Sequence, residues 1–479
     1  MNSSGYRFAA SDNAFYIPAV VRHLEPAAFP RDAPLIDSQA RITFVDDEVA
    51  AIVRATGASL PHAFIALYVV SMALLFAGIV MLGQRMYRGG WAVVALTAAM
   101  TLRHSIAKTG ANTLEAYFHP RILAFALGLL GVSAFLDRRD WIWITLLAIA
   151  MTIHPTTGMW FCVWLGVAAW FGRPRWRKWL ALVAVIGACG VAFMLWRGPL
   201  AGHLVRMDSE WLTAIIDKDY LFPFSWPISA WVVNLLYVPI IVWCWRLRRR
   251  AGLTVPGETP LVIGAVGLLV LFACWVPFNA MHVAVAVELQ LSRIFWLLDV
   301  FATVYAVWWL VEGFQGRSPK SQLPTPKSQM VVACIIAALS LARGTYSLFI
   351  QFPDRRLFDV DIKTGDWGDA MAWARTTDLS SGWLADPIHA ARYGSSIRAV
   401  AHRDVLLERI KDRALAMYDR SVALRVNDRE RALQVLQWDT PEGARALARR
   451  YDLDYLIIDR ELDLPLAHRS GSLFIYRLR

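Results

Sequence analysis

Between residues 62 and 350 the chain carries a succession of apolar runs, at 62–83, 91–102, 120–136, 141–154, 156–172, 178–196, 227–245, 260–276, 281–311 and 330–350. An apolar stretch of about 20 residues is long enough to cross a bilayer, and it does so as a helix because only a helix satisfies its own backbone in hydrocarbon. The recurrence predicts an α-helical polytopic membrane protein with about ten transmembrane helices. Several runs are short, 91–102 above all, so one or two are candidates for re-entrant segments. Composition agrees: 57% of residues are hydrophobic and 18% charged, where soluble globular chains have about 45–50% and about 25%.

The formal charge of +11 has to be located before it is read. Residues 353–479 hold 21 basic and 20 acidic side chains, whereas residues 1–352 hold 28 and 18. The excess therefore lies among the apolar runs, which points to membrane topology and away from nucleic acid. The loops 84–90, 137–140, 173–178, 246–259 and 312–329 contain 15 Lys and Arg. The alternating loops, edges included, contain 11 in more than twice that length. The positive-inside rule makes the first set cytoplasmic. Residues 1–59, 103–119, 197–226, 277–280 and everything after 352 are then exterior. An exterior start with no signal peptide or preceding span leads to the expectation of a first helix missing upstream of Met1.

Three regions follow: an exterior segment 1–59 with amphipathic helices, a transmembrane domain 60–352, and an extracytoplasmic α/β domain 353–479. Within the last, the pattern predicts helices over 366–376, 405–415 and 441–451 and strands over 382–385, 455–459 and 472–478. The proline-rich repeat at 318–329 reads as a cytoplasmic linker. Cys162, Cys189, Cys244, Cys274 and Cys334 all fall in apolar runs without a CxxC pair, so they read as small hydrophobes. The GxxxxGK[ST], HExxH and GxSxG signatures are absent.

Polar side chains near a membrane are expensive, so their positions carry information. Asp12 reads either as the N-cap of a helix over 14–24 or as a general base at a cavity mouth. Asn112 and Glu115 have capping-box spacing, with Pro120 in the first turn of the next helix. His119 and Arg121 then stand at the outer end of a span with no capping duty. His154 sits in a tight turn, where bonding to a backbone carbonyl competes with a site role. In the long run 281–311, Glu288, Gln290 and Arg293 occupy the outer half. Gln290 and Arg293 share one helical face, and Arg293 suits either Glu288 or a phosphate. Asp299 reads as a helix–helix partner.

The stretch SDNAFYIPAVVRHLEPAAFPRDAP at 11–34 resembles the first periplasmic loop of bacterial GT-C superfamily membrane glycosyltransferase-like proteins. NTLEAYFHPRILAFALGL at 112–129, TIHPTTGMW at 152–160 and ELQLSRIFWLL at 288–298 fit the same branch. The ending at 451–479 resembles its small exterior domain. The resemblance implies sugar transfer from a polyprenyl-phosphate-linked donor to an acceptor on the exterior face of the plasma (inner) membrane. Asp12 matches the acidic motif of the family's first exterior loop, although Asn13 stands where a second acid often follows. Asp12 and Glu115 are then the catalytic candidates. Arg293, Gln290, Arg121, His119 and His154 are candidates for holding donor phosphate. No metal ligands and no cofactor are assigned, and a divalent metal stays an open alternative. The competing classes are a lipid or solute transporter, or a non-catalytic sensor or assembly protein.

The topology is tested by thiol labelling. Cysteines introduced near Arg248 and Lys320 are expected to resist an impermeant reagent applied outside intact cells. Cysteines near Asp208 and Ser396 are expected to react. Exterior labelling near Lys320 would reverse the assignment.

Overall fold

The computed structural model describes residues 2, 5–102, 105–313, 326–353, 355–361 and 365–479. It begins with a short strand β1 (Tyr6–Arg7) and the helices α1 (Asn13–Leu24), α2 (Ala33–Ala40) and α3 (Val45–Thr56). The apolar region follows as α4 (Leu60–Met86), α5 (Gly90–Thr101), α6 (Pro120–Leu136), α7 (Asp140–Ile153), α8 (Pro155–Gly172) and α9 (Arg177–Trp196). After α10 (Ser209–Ile215) come α11 (Ile228–Arg250), α12 (Glu258–Ala280), α13 (Ala284–Glu288), α14 (Ile294–Trp308) and α15 (Pro326–Tyr346). Proline in the first turn opens α4, α6 and α8, where its missing N–H leaves no intrahelical bond unmade.

Every apolar run is helical, but not every one is a span by length and composition. Among the described residues six helical segments are long and apolar enough to cross a membrane: Leu60–Met86, Pro174–Trp196, Ile228–Arg250, Glu258–Ala280, Ala284–Gly313 and Pro326–Gln351. This is fewer than the ten expected. At 12, 17 and 14 residues, α5, α6 and α7 fall short of a full span. Helix α8 opens on the polar sequence Pro155-Thr156-Thr157-Gly158 and carries Trp160, Trp164 and Trp170. Helix α9 has no buried residue at all and exposes Val183, Ile186 and Phe193. An apolar surface of that extent is stable in contact with lipid and not with water. Helix α14 is buried on nearly every side, with Trp296 stacked on Phe125 at 3.8 Å between ring centroids.

The run 281–311 is not one helix. It breaks after Glu288, where Gln290 takes the left-handed conformation at φ 45° before a 3-10 turn, Leu291–Arg293. No glycine or proline marks the break, so the strain of a left-handed glutamine is held by the packing around it. The shared helical face inferred for Gln290 and Arg293 therefore does not exist. Asp299 faces Tyr237 of α11, to which it is hydrogen-bonded. Of the linker at 318–329, residues 318–325 lie outside the described residues, and 326–329 open α15.

After β2 (Phe358–Asp359) the chain forms α16 (Asp366–Ala374), β3 (Gly382–Leu384), α17 (His389–Tyr393), α18 (Ile397–Ala401), β4 (Asp404–Val405) and α19 (Arg409–Leu415). Then come α20 (Arg420–Val435), α21 (Pro441–Tyr451), β5 (Tyr455–Ile458), β6 (Leu466–Ser470) and β7 (Leu473–Arg477). The sheet order is β4-β3-β5-β7-β6, with β3 parallel to both its neighbours and β7 antiparallel to both of its own. The helix expected over 405–415 is half right, because Asp404–Val405 is a strand and the helix starts at Arg409.

The composition boundary at 353 is not a packing boundary. Strand β1 pairs in parallel with β2. Tyr6, Ile17 and Phe29 share a core with Trp367, Met371, Trp383 and Ile475. Leu35, Trp211 and Ile215 share another with Leu384, Leu415 and Leu456. Between the two lies a buried ion network. Asp32, just before α2, receives Arg398 Nε at 2.6 Å, the Arg425 guanidinium and the Val405 amide at 3.0 Å. Asp404 reciprocates by accepting the backbone amides of Arg31 and Asp32, both at 3.0 Å. Arg398 also forks onto Asp412, with one arm at 3.0 Å. Burial opposes the charge on Asp32, but Arg398, Arg425 and Arg429 outweigh it and hold its carboxyl well below the usual range. Burial pushes the neighbouring Glu408 up to about 7, against the pull of Arg398.

Two outcomes follow from this network. Asp32→Asn leaves Arg398 without its main counter-charge and is expected to cost about 3–5 kcal/mol. Thermal unfolding in detergent checks this, and a loss below about 1 kcal/mol would remove the network from its structural role. Glu408 keeps its proton in the folded chain up to about 7, whereas an unfolded glutamate releases it near 4.3. Its contribution is thus fully present at low pH and is lost as pH rises through this window, by at most about 4 kcal/mol. Glu408→Gln cannot ionise, so it should equal the wild type near pH 4.5 and unfold at a higher temperature at pH 8. A difference that does not change with pH would contradict this. Arg248 and Ser396 are fully buried, so labelling cysteines belong at their exposed neighbours Arg249 and Arg392.

Candidate functional site

All seven residues singled out from sequence, namely Asp12, Glu115, His119, Arg121, His154, Gln290 and Arg293, line one cavity of about 270 Å³. The cavity lies where the ends of the apolar helices meet α1 and the turn after α19. The N-cap residues of four helices face it: Asp12 of α1, His119 of α6, His154 of α8 and Arg293 of α14. Aligned peptide dipoles make a helix N-terminus electropositive, although the first amides here are already bonded, those of α1 to Ala10 and Ser11 and those of α6 and α8 to their histidine caps.

Asp12 does not cap its helix. Its backbone is in the right-handed helical region and its side chain makes no capping bond, whereas a capping side chain needs extended backbone at that residue. The carboxylate instead faces the cavity. Lys411 Nζ donates to Oδ1 at 2.5 Å, while His119 Nε2 and the Tyr117 hydroxyl lie 3.2 and 3.4 Å from Oδ2. Burial disfavours its charge, but Lys411, the His119 hydrogen bond and Arg121 prevail, holding the carboxyl well below the usual carboxylate range.

The capping box expected at Asn112 and Glu115 is absent, because 105–119 is an irregular loop and α6 starts at Pro120. The cap is His119 itself, whose Nδ1 accepts the Arg121 amide at 3.3 Å. That bond fixes the proton on Nε2, the nitrogen that faces Asp12. Burial and Arg121 hold the imidazole at about 4, so it is neutral at pH 7. His154 repeats the device. Its Nδ1 accepts from the Thr157 amide at 3.3 Å, in place of the expected bond to a carbonyl. The two rings pack edge to face, 6.3 Å apart.

The arginines differ. Arg121 is ion-paired with buried Glu115, which also receives Asn112. Arg293 does not pair with Glu288, which instead binds His203 at 2.6 Å. Among the described residues no carboxylate lies within ion-pair distance of Arg293, and its Nε is buried without a hydrogen bond. Gln290 is buried against Met417, with its Oε1 unpartnered.

The further polar residues of the wall include Lys218, Tyr220, Lys411 and Tyr418. They lie in polar stretches, where a lysine ordinarily marks a solvated face, so nothing local distinguishes them. With Arg121, Arg293, Lys218 and Lys411 against Asp12 and Glu115, the cavity holds two positive charges in excess while its histidines are neutral. This favours an anion. It does not suit a divalent cation, because Asp12 is already engaged by Lys411 and Glu115 by Arg121. Asn13 supplies no second carboxylate and is buried, with neither amide atom hydrogen-bonded among the described residues. The described group with metal-ligand geometry is His23, Asp46 and Asp47, none of which lines the cavity. No protein-family model matches the chain, and no curated protein matches its sequence.

Proposed function

We propose that this chain is a GT-C-like membrane glycosyltransferase that moves a sugar from a polyprenyl-phosphate carrier to an acceptor hydroxyl on the exterior face of the plasma membrane. The observation that carries the reading is the convergence of four helix N-termini and the uncompensated Arg293 on one cavity beside a carboxylate. A lipid-linked phosphate needs a positive site that opens near the ends of apolar helices, and this one does. The sidedness rests on the loop charges, which put residues 353–479 outside.

In this reading Arg293 and Lys218 grip the donor phosphate, and Gln290 and His154 donate to its oxygens or to the sugar. The acceptor oxygen attacks the anomeric carbon, and the bond from that carbon to the phosphate oxygen breaks. The bonding pair leaves with the lipid phosphate, and the acceptor proton passes to Asp12. Before donor binds, Asp12 is a weak base because Lys411 and Arg121 depress it. The arriving phosphate neutralises that positive field and raises Asp12 toward the ordinary carboxylate range, so its basicity appears when the donor is in place. His119 positions Asp12 by donating from Nε2, and Glu115 holds Arg121 in the wall.

Transfer from a polyprenyl-phosphate sugar in proteoliposomes tests this. Asp12→Asn keeps the shape and, since Asp12 is not a side-chain cap, the helix. It should lower kcat by about 10²–10⁴. Arg293→Lys keeps charge but loses the fork, and should raise the donor KM more than the acceptor KM. Unchanged turnover in Asp12→Asn would end its role as base. Movement of intact donor across the vesicle without release of lipid phosphate would favour a transporter.

A further inference from the structure

A transferase must bring two substrates to one point, and the fold has a second cavity against the first. It encloses about 280 Å³ and shares Ser11, Ile410 and Lys411 with the cavity just described. Its remaining wall comes from the start of the chain, from 390–396 and from Glu408. Lys411 stands in the partition, with Nζ 2.5 Å from Asp12 Oδ1 on one side and 3.2 Å from Ser11 Oγ. The partition is the turn from Ala9 to Asp12, where Ala9 and Ser11 both hold left-handed backbone, at φ 57° and 51°. Such strain in non-glycine residues persists where the surroundings over-determine it, and it collects at functional sites.

The lining indicates what fits. Its polar atoms include two without partners among the described residues: Arg7 Nε and Glu408 Oε1, both buried. Ser395 and Ser396 also line it, with their hydroxyls already bonded to Trp367 Nε1 and Glu408 Oε2. The apolar part is almost wholly alanine, and no aromatic or long aliphatic chain is present apart from Ile410. A lipid tail or an aromatic ring finds nothing to pack on here. A ring bearing several hydroxyls finds an acceptor in Glu408 and donors in Arg7 and Lys411 within a small-residue enclosure.

We infer that this second cavity is the acceptor subsite and that its occupant is a saccharide, whose reacting hydroxyl reaches Asp12 past Lys411. The inference rests on the glycosyltransferase reading of the first cavity. Donor phosphate and acceptor sugar then lie on opposite sides of the Asp12–Lys411 pair, and neither has to leave for the other to enter.

The test uses the full chain in proteoliposomes with a polyprenyl-phosphate sugar as donor. Octyl glycosides of glucose, galactose and mannose are compared with octanol as acceptors. Ala391 lies at the exposed rim of the second cavity, and Ala391→Trp fills it without entering the core. The glycosides should accept and octanol should not. Ala391→Trp should raise the glycoside KM by about tenfold or more while the donor KM moves less than about twofold. Arg293→Lys should give the reverse split. An unchanged melting temperature shows that Ala391→Trp folds. The inference is overturned if octanol is the better acceptor, if no glycoside takes sugar although lipid phosphate is released, or if Ala391→Trp leaves the glycoside KM unchanged. Release of no lipid phosphate by the wild type would instead end the donor reading, and this inference with it.

Discussion

The reciprocal grip between Asp32 and the Asp404–Val405 strand, with Arg398 beneath it, is what makes the two ends of this chain one body. Each aspartate accepts backbone amides from the segment that carries the other. Arg398 and Arg429 behind Asp32 are buried and cannot recover their hydration elsewhere. Charges in that position tolerate no missing partner, because desolvation has already been incurred and only the pairing offsets it. The same Arg398 forks onto Asp412, the residue after Lys411. The orientation of α19, and so the placing of Lys411 against Asp12, descends from a contact on the far side of that helix. The reactive pair is held by a network that does not touch the cavity.

The membrane end of the molecule is fixed by different physics. Apolar side chains supply the burial there, and the ionic contacts sit mainly at the turns. Arg248 pairs with Glu258, Asp140 gathers Arg173 and Arg175, and Glu312 accepts the amides of Arg88 and Gly89. All three belong to the arginine-rich loops, so the cations of those loops also close the helix ends. The cavity side is built from helix N-termini and has an excess of cations over acids.

A residue's role is legible in the sequence when its cost is local. His119, Arg121 and His154 stand at the ends of apolar runs and Arg293 interrupts one, where a polar group needs a reason, and that position alone marks them. Lys411 lies in the polar sequence Arg409-Ile410-Lys411-Asp412, and only the tertiary fold turns it inward. Helix α21 and strand β5 fall where their patterns put them, since Pro441 opens one and the run Tyr455–Ile458 makes the other. Strand β6 is unreadable because His468 and Arg469 sit on an edge with one solvated face. The break at Gln290 is unreadable because it depends on tolerated strain, and the capping role given to Asp12 fails because its backbone is already helical.

The pairing of β1 with β2 has a consequence for how such a chain can change. Residues 5–59, the loop before α6, His154, the segment around Lys218, Gln290 and Arg293, and residues 355–479 all meet around one enclosed space. A connected body of this kind occupies one side of a bilayer. In the proposed topology the chain returns to that side between every two successive contributions, and each interval then holds an even number of crossings. Helices can be gained or lost here only in pairs. A single added or deleted crossing would act like a frameshift, stranding every later contribution on the wrong side.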